Sequence, residues 1–173
     1  MNDSIVRDAR DGDRQIIKEV TLAAYQQYAA MMPAHWDGYR DNILNTLGDV
    51  KPAEQIVVEH RGAIAGTVLL YPAGTVFTAP NGASVTLAWP EVRLLAVAPA
   101  ARGQGIGAAL MRECVRRARQ SGAAALTLHT HEIMAVAMRM YERMGFVRAP
   151  ELDFHPAKDV TIKGYRLDLT EGA

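Results

Sequence analysis

Between Leu94 and Leu110 a short apolar run, Leu94-Leu95-Ala96-Val97-Ala98, stops at Pro99. Arg102 then introduces glycine at 103, 105 and 107, and an amphipathic pattern follows at once. The order reads as strand, turn, helix. Glycine opens backbone conformations closed to other residues and lets a ligand approach the main chain. The first turn of a helix offers amide N–H groups without partners, and its dipole favours negative charge. Such a turn suits a phosphate or pyrophosphate, with Arg102 adding a permanent positive charge at the rim. The bland alternative is a tight turn that needs glycine only for sterics.

The chain has 173 residues, 49% of them hydrophobic and 22% charged, with a formal net charge of zero. Length and composition suit one domain over residues 1–173 with a sizeable core. Zero net charge gives no global attraction to a polyanion, so neither nucleic acid nor a membrane surface is expected as partner. The single cysteine, Cys114, excludes an internal disulfide, and a reducing, cytoplasmic setting is expected because no signal or spanning segment is visible.

In order, Ile5-Val6 suggests a first strand, and Asp11 or Asp13 a cap for a helix bearing Ile16, Ile17, Val20, Ala23, Ala24 and Gln27. Pro33 ends or kinks that helix, and Trp36 to Leu47 suggests a second. Residues 55–59 and 64–71 have the pattern of an antiparallel hairpin, and Asn81-Gly82 that of an extra hairpin between Val76-Phe77 and Val85-Thr86-Leu87. Residues 91–98 are expected as a central strand and 104–120 as the long helix, with Cys114 on its apolar stripe. Beyond these come a strand at 125–130, a helix at 134–144, a strand starting at Phe146 and a last strand at 160–169. Hairpins first and helical crossovers later predict an α/β fold around a mixed sheet.

Gly103-Gln104-Gly105-Ile106-Gly107-Ala108 satisfies G-x-G-x-x-A, but four residues part the strand from the first glycine, and the acidic residue due about 20 positions on is missing. A dinucleotide fold is therefore disfavoured, and no Gly-Lys-Ser/Thr follows to make a Walker loop. Taken together, Glu91 to Pro99, Arg102 to Gly107 and Met140-Tyr141-Glu142-Arg143-Met144-Gly145-Phe146 resemble the GCN5-related N-acetyltransferase (GNAT) family in motif order and spacing. The resemblance implies a single-domain fold with a mixed, mostly antiparallel sheet flanked by helices on both faces. It also implies acetyl-CoA as acyl donor. Its pyrophosphate would lie on the amides of Gly103, Gln104, Gly105, Ile106, Gly107 and Ala108, beside Arg102, and its pantetheine arm along the backbone of Leu95, Ala96 and Val97. One departure is Met134, which stands where many members carry asparagine, seven residues before the tyrosine.

Acetyl transfer to an amine needs a bound donor, a neutral amine and a proton for the departing thiolate. Tyr141, with an ordinary pKa of about 10, is matched to an alkyl thiol as general acid. The resemblance puts it near the sulfur. Glu91 is the candidate base, directly or through water, its alternative being a strand-start carboxylate paired with Arg93. Tyr28, Met32, Trp36 and Tyr39 are candidate walls of the acceptor pocket or ordinary packing. His129 is a candidate lining residue; with His131 it shares a strand face, but no third ligand at motif spacing supports a metal. The expected activity is transfer of acetyl from acetyl-CoA to a primary amine of a small molecule or peptide in a ternary complex. A silent acetyl-CoA-binding regulatory module of the same fold is the competitor, and a homodimer is left open.

Overall fold

A computed structural model describes residues 4–78 and 82–170. Its elements in chain order are β1 (Ser4–Asp8), α1 (Arg14–Tyr25), α2 (Trp36–Gly48), β2 (Glu54–His60), β3 (Ala63–Tyr71), β4 (Val76–Thr78) and β5 (Ser84–Thr86). Then follow β6 (Glu91–Val97), α3 (Ile106–Gln120), β7 (Ala125–His131), α4 (Ala135–Arg143), β8 (Val147–Arg148), β9 (Phe154–Ala157) and β10 (Val160–Asp168). The fold is mixed α/β with mostly antiparallel strands, as expected; β6 and β7 run parallel. Two compact units share the chain: residues up to Leu70 with Leu94–Cys114, and Tyr71–Arg93 with the residues from Val115 on. Both β6 and α3 therefore contribute residues to each.

In the first unit β2 pairs antiparallel with β1 and β3, and a register shift interrupts the second ladder at Val58/Glu59. The end of β6 is tied to β3 by the Ala98 N–H donating to Ala65 O at 2.8 Å. Ile17, Val20, Ile43, Ile56, Val58, Val68, Ile106, Leu110, Met111 and Cys114 are buried. Gly66 permits the close approach of α3, since a Cβ there would stand 2.7 Å from Ile106 Cγ2 and 3.0 Å from Ala96 O. The buried stripe of α1 is Ile17, Val20, Thr21, Ala24 and Tyr25. It is rotated from the expected one, leaving Ile16 39% exposed, and a 3₁₀ segment takes over from Gln26. Asp13 occupies the N-cap position of α1 but makes no side-chain cap bond to it: its carboxylate instead accepts from Arg7 Nη1 at 2.7 Å and from the Arg10 amide at 2.8 Å.

In the second unit β10 pairs antiparallel with β7, β8 and β9, while β7 lies parallel to the start of β6. β4 and β5 form the extra hairpin; Asn81 of its expected turn lies outside the described residues. β9 was not expected from the sequence, because Pro156 interrupts its short run; proline is tolerated where a strand needs no donor on one side. The Cβ register sorts the two faces. Tyr165 stands opposite Leu128, so both point to one face, and Thr127 and His129 point to the other. Gly164, opposite His129, has Leu152 Cβ and Ala149 O within 2.9 Å of where its own Cβ would be, so a larger residue would push the 150–152 turn away.

Candidate active site

The anion turn belongs to the first unit. Gly103 and Gly105 have φ of 74° and 77°, and nothing lies within 4 Å of the positions their Cβ atoms would take. Their glycine requirement is thus conformational, and the space beside the main chain is open. The backbone ladder at the start of α3 opens with Ala109 N–H to Gly105 O at 2.9 Å, so among the described residues the amides from Gly103 to Ala108 have no backbone acceptor. Positive-φ residues in a tight turn can turn successive N–H groups toward one side, a concavity for anions. This donor set fits a pyrophosphate. Ile106 is buried and anchors the helix start, while residues 102–105 are exposed.

Arg102 adds a tie that was not anticipated: its Nη2 donates to Ala24 O at 3.2 Å, holding the end of α1 against the turn. Tyr25, the next residue, donates its hydroxyl to Leu95 O at 3.1 Å. A carbonyl carries two lone pairs, so Leu95 keeps one for another donor. Leu94 has a φ of 49°, rare for a bulky residue and of order 1–3 kcal/mol in cost. It stands between the paired start of β6 and the Leu95–Val97 segment. Tyr28 and Tyr39 flank Tyr25 at ring-centroid distances of 6.0 and 5.9 Å, and Trp36 lies 6.3 Å from Tyr39. Burial pushes both the Tyr28 and Tyr39 hydroxyls above their ordinary pKa. Met32 is buried beside this aromatic segment in sequence, and Tyr28, Trp36 and Tyr39 are half-buried.

The titratable candidates belong to the second unit. Glu91 is only 2% exposed, and both of its oxygens have basic neighbours. Arg93 Nε donates to Oε1 at 2.6 Å, and His129 Nδ1 lies 3.3 Å from Oε2, off the line of a straight hydrogen bond. His129 Nε2 is 2.8 Å from Leu152 O. A carbonyl can only accept, so Nε2 carries a proton and the basic atom of a neutral ring is Nδ1, facing Glu91. Burial pushes the Glu91 carboxyl up, but the contact from His129 and the charge of Arg93 outweigh it and hold the group below the usual range. Burial likewise disfavours charged His129, and Glu91 reverses this, raising the imidazole above its ordinary value. Both shifts favour the charged pair, carboxylate beside imidazolium.

Tyr141 is buried on α4. Its ring stands 6.0 Å from Phe146 and 6.5 Å from Tyr165. Because Tyr165 shares a face with Leu128, Tyr141 lies on the opposite side of the strands from Glu91 and His129. The β6–β7 ladder runs over Glu91↔Thr127 and Val92↔Leu128.

Arg93, named in the sequence only as a partner of Glu91, emerges as a site feature. Its guanidinium carbon lies 3.6 Å from the Phe77 ring centroid and 5.5 Å from that of Tyr71. Phe154 packs on His129 at 5.2 Å. The two-residue spacing of Glu91 and Arg93 signalled a common face; the aromatic partners had no local signal, because Tyr71 ends β3, Phe77 comes from the β4–β5 hairpin and Phe154 from the unforeseen β9.

The profile of the Acetyltransferase (GNAT) family matches residues 20–146. The chain belongs to that family, whose acyl donor is acetyl-CoA. It is 35% identical over 103 residues to a mycothiol acetyltransferase of Parafrankia sp. (strain EAN1pec), an alignment covering 56% of this chain and 32% of that protein. The chain thus spans about a third of that relative's length. Among solved structures, a GNAT-family protein from Desulfovibrio desulfuricans matches 96% of this chain and 99% of its own with a TM-score of 0.68 and 21% identity. A GNAT acetyltransferase from Brucella melitensis in complex with acetyl-CoA matches all of this chain and 91% of its own, at a TM-score of 0.59 and 23% identity.

Proposed function

We propose that the protein transfers the acetyl group of acetyl-CoA to a primary amine of a small molecule or peptide, in a ternary complex and without an acetylated enzyme. The observation that carries this reading is the turn at 103–108, whose six consecutive amides have no backbone acceptor among the described residues, with open space beside Gly103 and Gly105. When bound, acetyl-CoA supplies an activated acetyl thioester. The amides from Gly103 to Ala108 hold its pyrophosphate, Arg102 fixes the turn against α1, and the Leu95–Val97 backbone offers edge hydrogen bonds to an extended ligand.

Glu91 and His129 accept the proton that the acceptor amine sheds, directly or through water, and His129 Nδ1 holds it beside the Glu91 carboxylate. Tyr141 donates its phenolic proton to the thiolate as it departs, and regains one from solvent. The two proton-handling groups lie on opposite faces of the strands.

The cradle is tested by Gly105→Val. A β-branched residue resists a positive φ, so acetyl-CoA affinity measured by calorimetry should fall about 10- to 100-fold, the equivalent of roughly 1–3 kcal/mol of backbone strain. Unchanged affinity would remove the turn from the site. The dyad has a pH signature. It accepts a proton only when it is not already protonated, and His129 titrates above 6.5; kcat/KM should therefore rise with pH through a limb above 6.5. His129→Gln should abolish that limb, separating it from the amine's own titration. A limb unchanged in the variant would assign the base elsewhere.

A further inference from the structure

We infer that Arg93 is an acceptor-recognition residue, and that the amine acetylated by this protein carries an oxyanion, a carboxylate in the first instance. This rests on the acetyltransferase reading above and names the substrate class of the same site. Arg93 is held on three sides. Its Nε donates to Glu91 Oε1 at 2.6 Å, one guanidinium face lies on Phe77 at 3.6 Å, and Tyr71 stands at 5.5 Å. The side chain nevertheless remains 36% exposed, and its two terminal nitrogens have no acceptor among the described residues.

A guanidinium tethered through Nε and stacked on a ring has lost its rotamer freedom before any ligand arrives. Its remaining edge is a fixed planar fork, the geometry that matches a carboxylate with two parallel hydrogen bonds. Neighbouring charge supports the choice. Glu91 is the carboxylate at this cluster, and Arg93 and His129 both press on it, so the cluster with a proton on His129 has one net positive charge. Asp153, next to Phe154, is already neutralised by a fork from Arg148 at 2.8 and 2.9 Å. An acceptor with its amine near the Glu91–His129 pair and its anionic group on Arg93 would satisfy both sets of groups, whereas a simple alkylamine would leave the fork unpaired.

The test compares matched pairs of acceptors, free amino acids against their α-amides and ω-amino acids against alkylamines of the same length, with O-phosphorylated amino alcohols as a separate arm. Binding to the coenzyme A-loaded protein is measured by calorimetry and turnover by thiol release. Wild type should favour the carboxylate member about 10- to 100-fold, the worth of a charge-assisted hydrogen bond or two. In Arg93→Gln and Arg93→Lys that ratio should collapse toward one, the lysine variant retaining charge without the stacked fork, while acetyl-CoA affinity is unchanged. No preference in wild type, or equal losses for both members of each pair, overturns the inference; equal losses would show that Arg93 only supports Glu91. A stronger preference for phosphorylated amines would replace carboxylate by phosphate as the recognised oxyanion and overturn the choice of carboxylate. Selective binding without thiol release would leave the anion site standing and defeat the transferase reading instead.

Discussion

Tyr141→Phe is expected to lower kcat by about 10²- to 10⁴-fold, the usual contribution of a positioned general acid, with little change in acetyl-CoA affinity. The substitution removes one oxygen from a ring that packs between Phe146 and Tyr165, so the fold should be preserved. Steady-state kinetics with a fixed amine, alongside calorimetry for the donor, separates the two quantities. The leaving group offers a second readout. A donor whose thiol is more acidic needs less help from a proton, so the gap between wild type and variant should narrow with it. Full turnover in the variant across pH would show that water or another group protonates the thiolate.

Glu91→Ala should destabilise the second unit strongly. It leaves Arg93 and His129 facing each other without the carboxylate that both contact at 2.6 and 3.3 Å. Stripping one partner from a buried ion pair strands the other charges, whereas replacing all partners together is far milder. Arg93 is partly exposed and His129 can shed its proton, so the expected loss is about 2–4 kcal/mol, or roughly 5–15 °C in Tm. The pH dependence follows from the signs of both shifts. The raised pKa of His129 makes its pairing contribution complete below 6.5 and lost as pH rises through the folded value. The depressed Glu91 makes its contribution present above the ordinary carboxylate range and lost as pH falls through its lowered folded value. Wild-type Tm should thus exceed that of Glu91→Ala most at mildly acidic to neutral pH, and the gap should shrink on the alkaline side. Adding His129→Gln to Glu91→Gln should cost less than the sum of the two, because the second change removes the stranded group. Additive losses would mean that the two side chains do not interact.

What could be read from residues alone follows from how local each feature is. The strand, turn and helix around Gly103 and Gly105 are encoded within some twenty positions, and the φ values of 74° and 77° are the conformations those glycines exist to permit. The burial of Ile106, Leu110, Met111, Cys114 and Ala118 follows in the same way from helical spacing. The buried stripe of α1 differs from the expected one because Ile16 and Ile17 are adjacent isoleucines and periodicity alone does not choose between them; Tyr25, bound to Leu95 O, decides it. Asp13 was a plausible cap, but Arg7, from a neighbouring strand, outbid the helix for its carboxylate. β9 was hidden by Pro156. The environment of Glu91 was the least legible feature, since it is built by Arg93 two residues on, His129 on another strand and Leu152 in a later turn. Its pairing with Arg93 was foreseeable from spacing; the forced Nε2 tautomer of His129 was not.

The most direct test mixes purified protein with acetyl-CoA and a panel of amines, following free thiol and N-acetyl product together with the intact mass of the protein. The account predicts thiol release that depends on the amine and matches product one for one, with no 42 Da gain on the protein when acetyl-CoA is supplied alone. Binding of acetyl-CoA with no thiol release for any amine, or an acetylated protein that forms before amine is added, would contradict it.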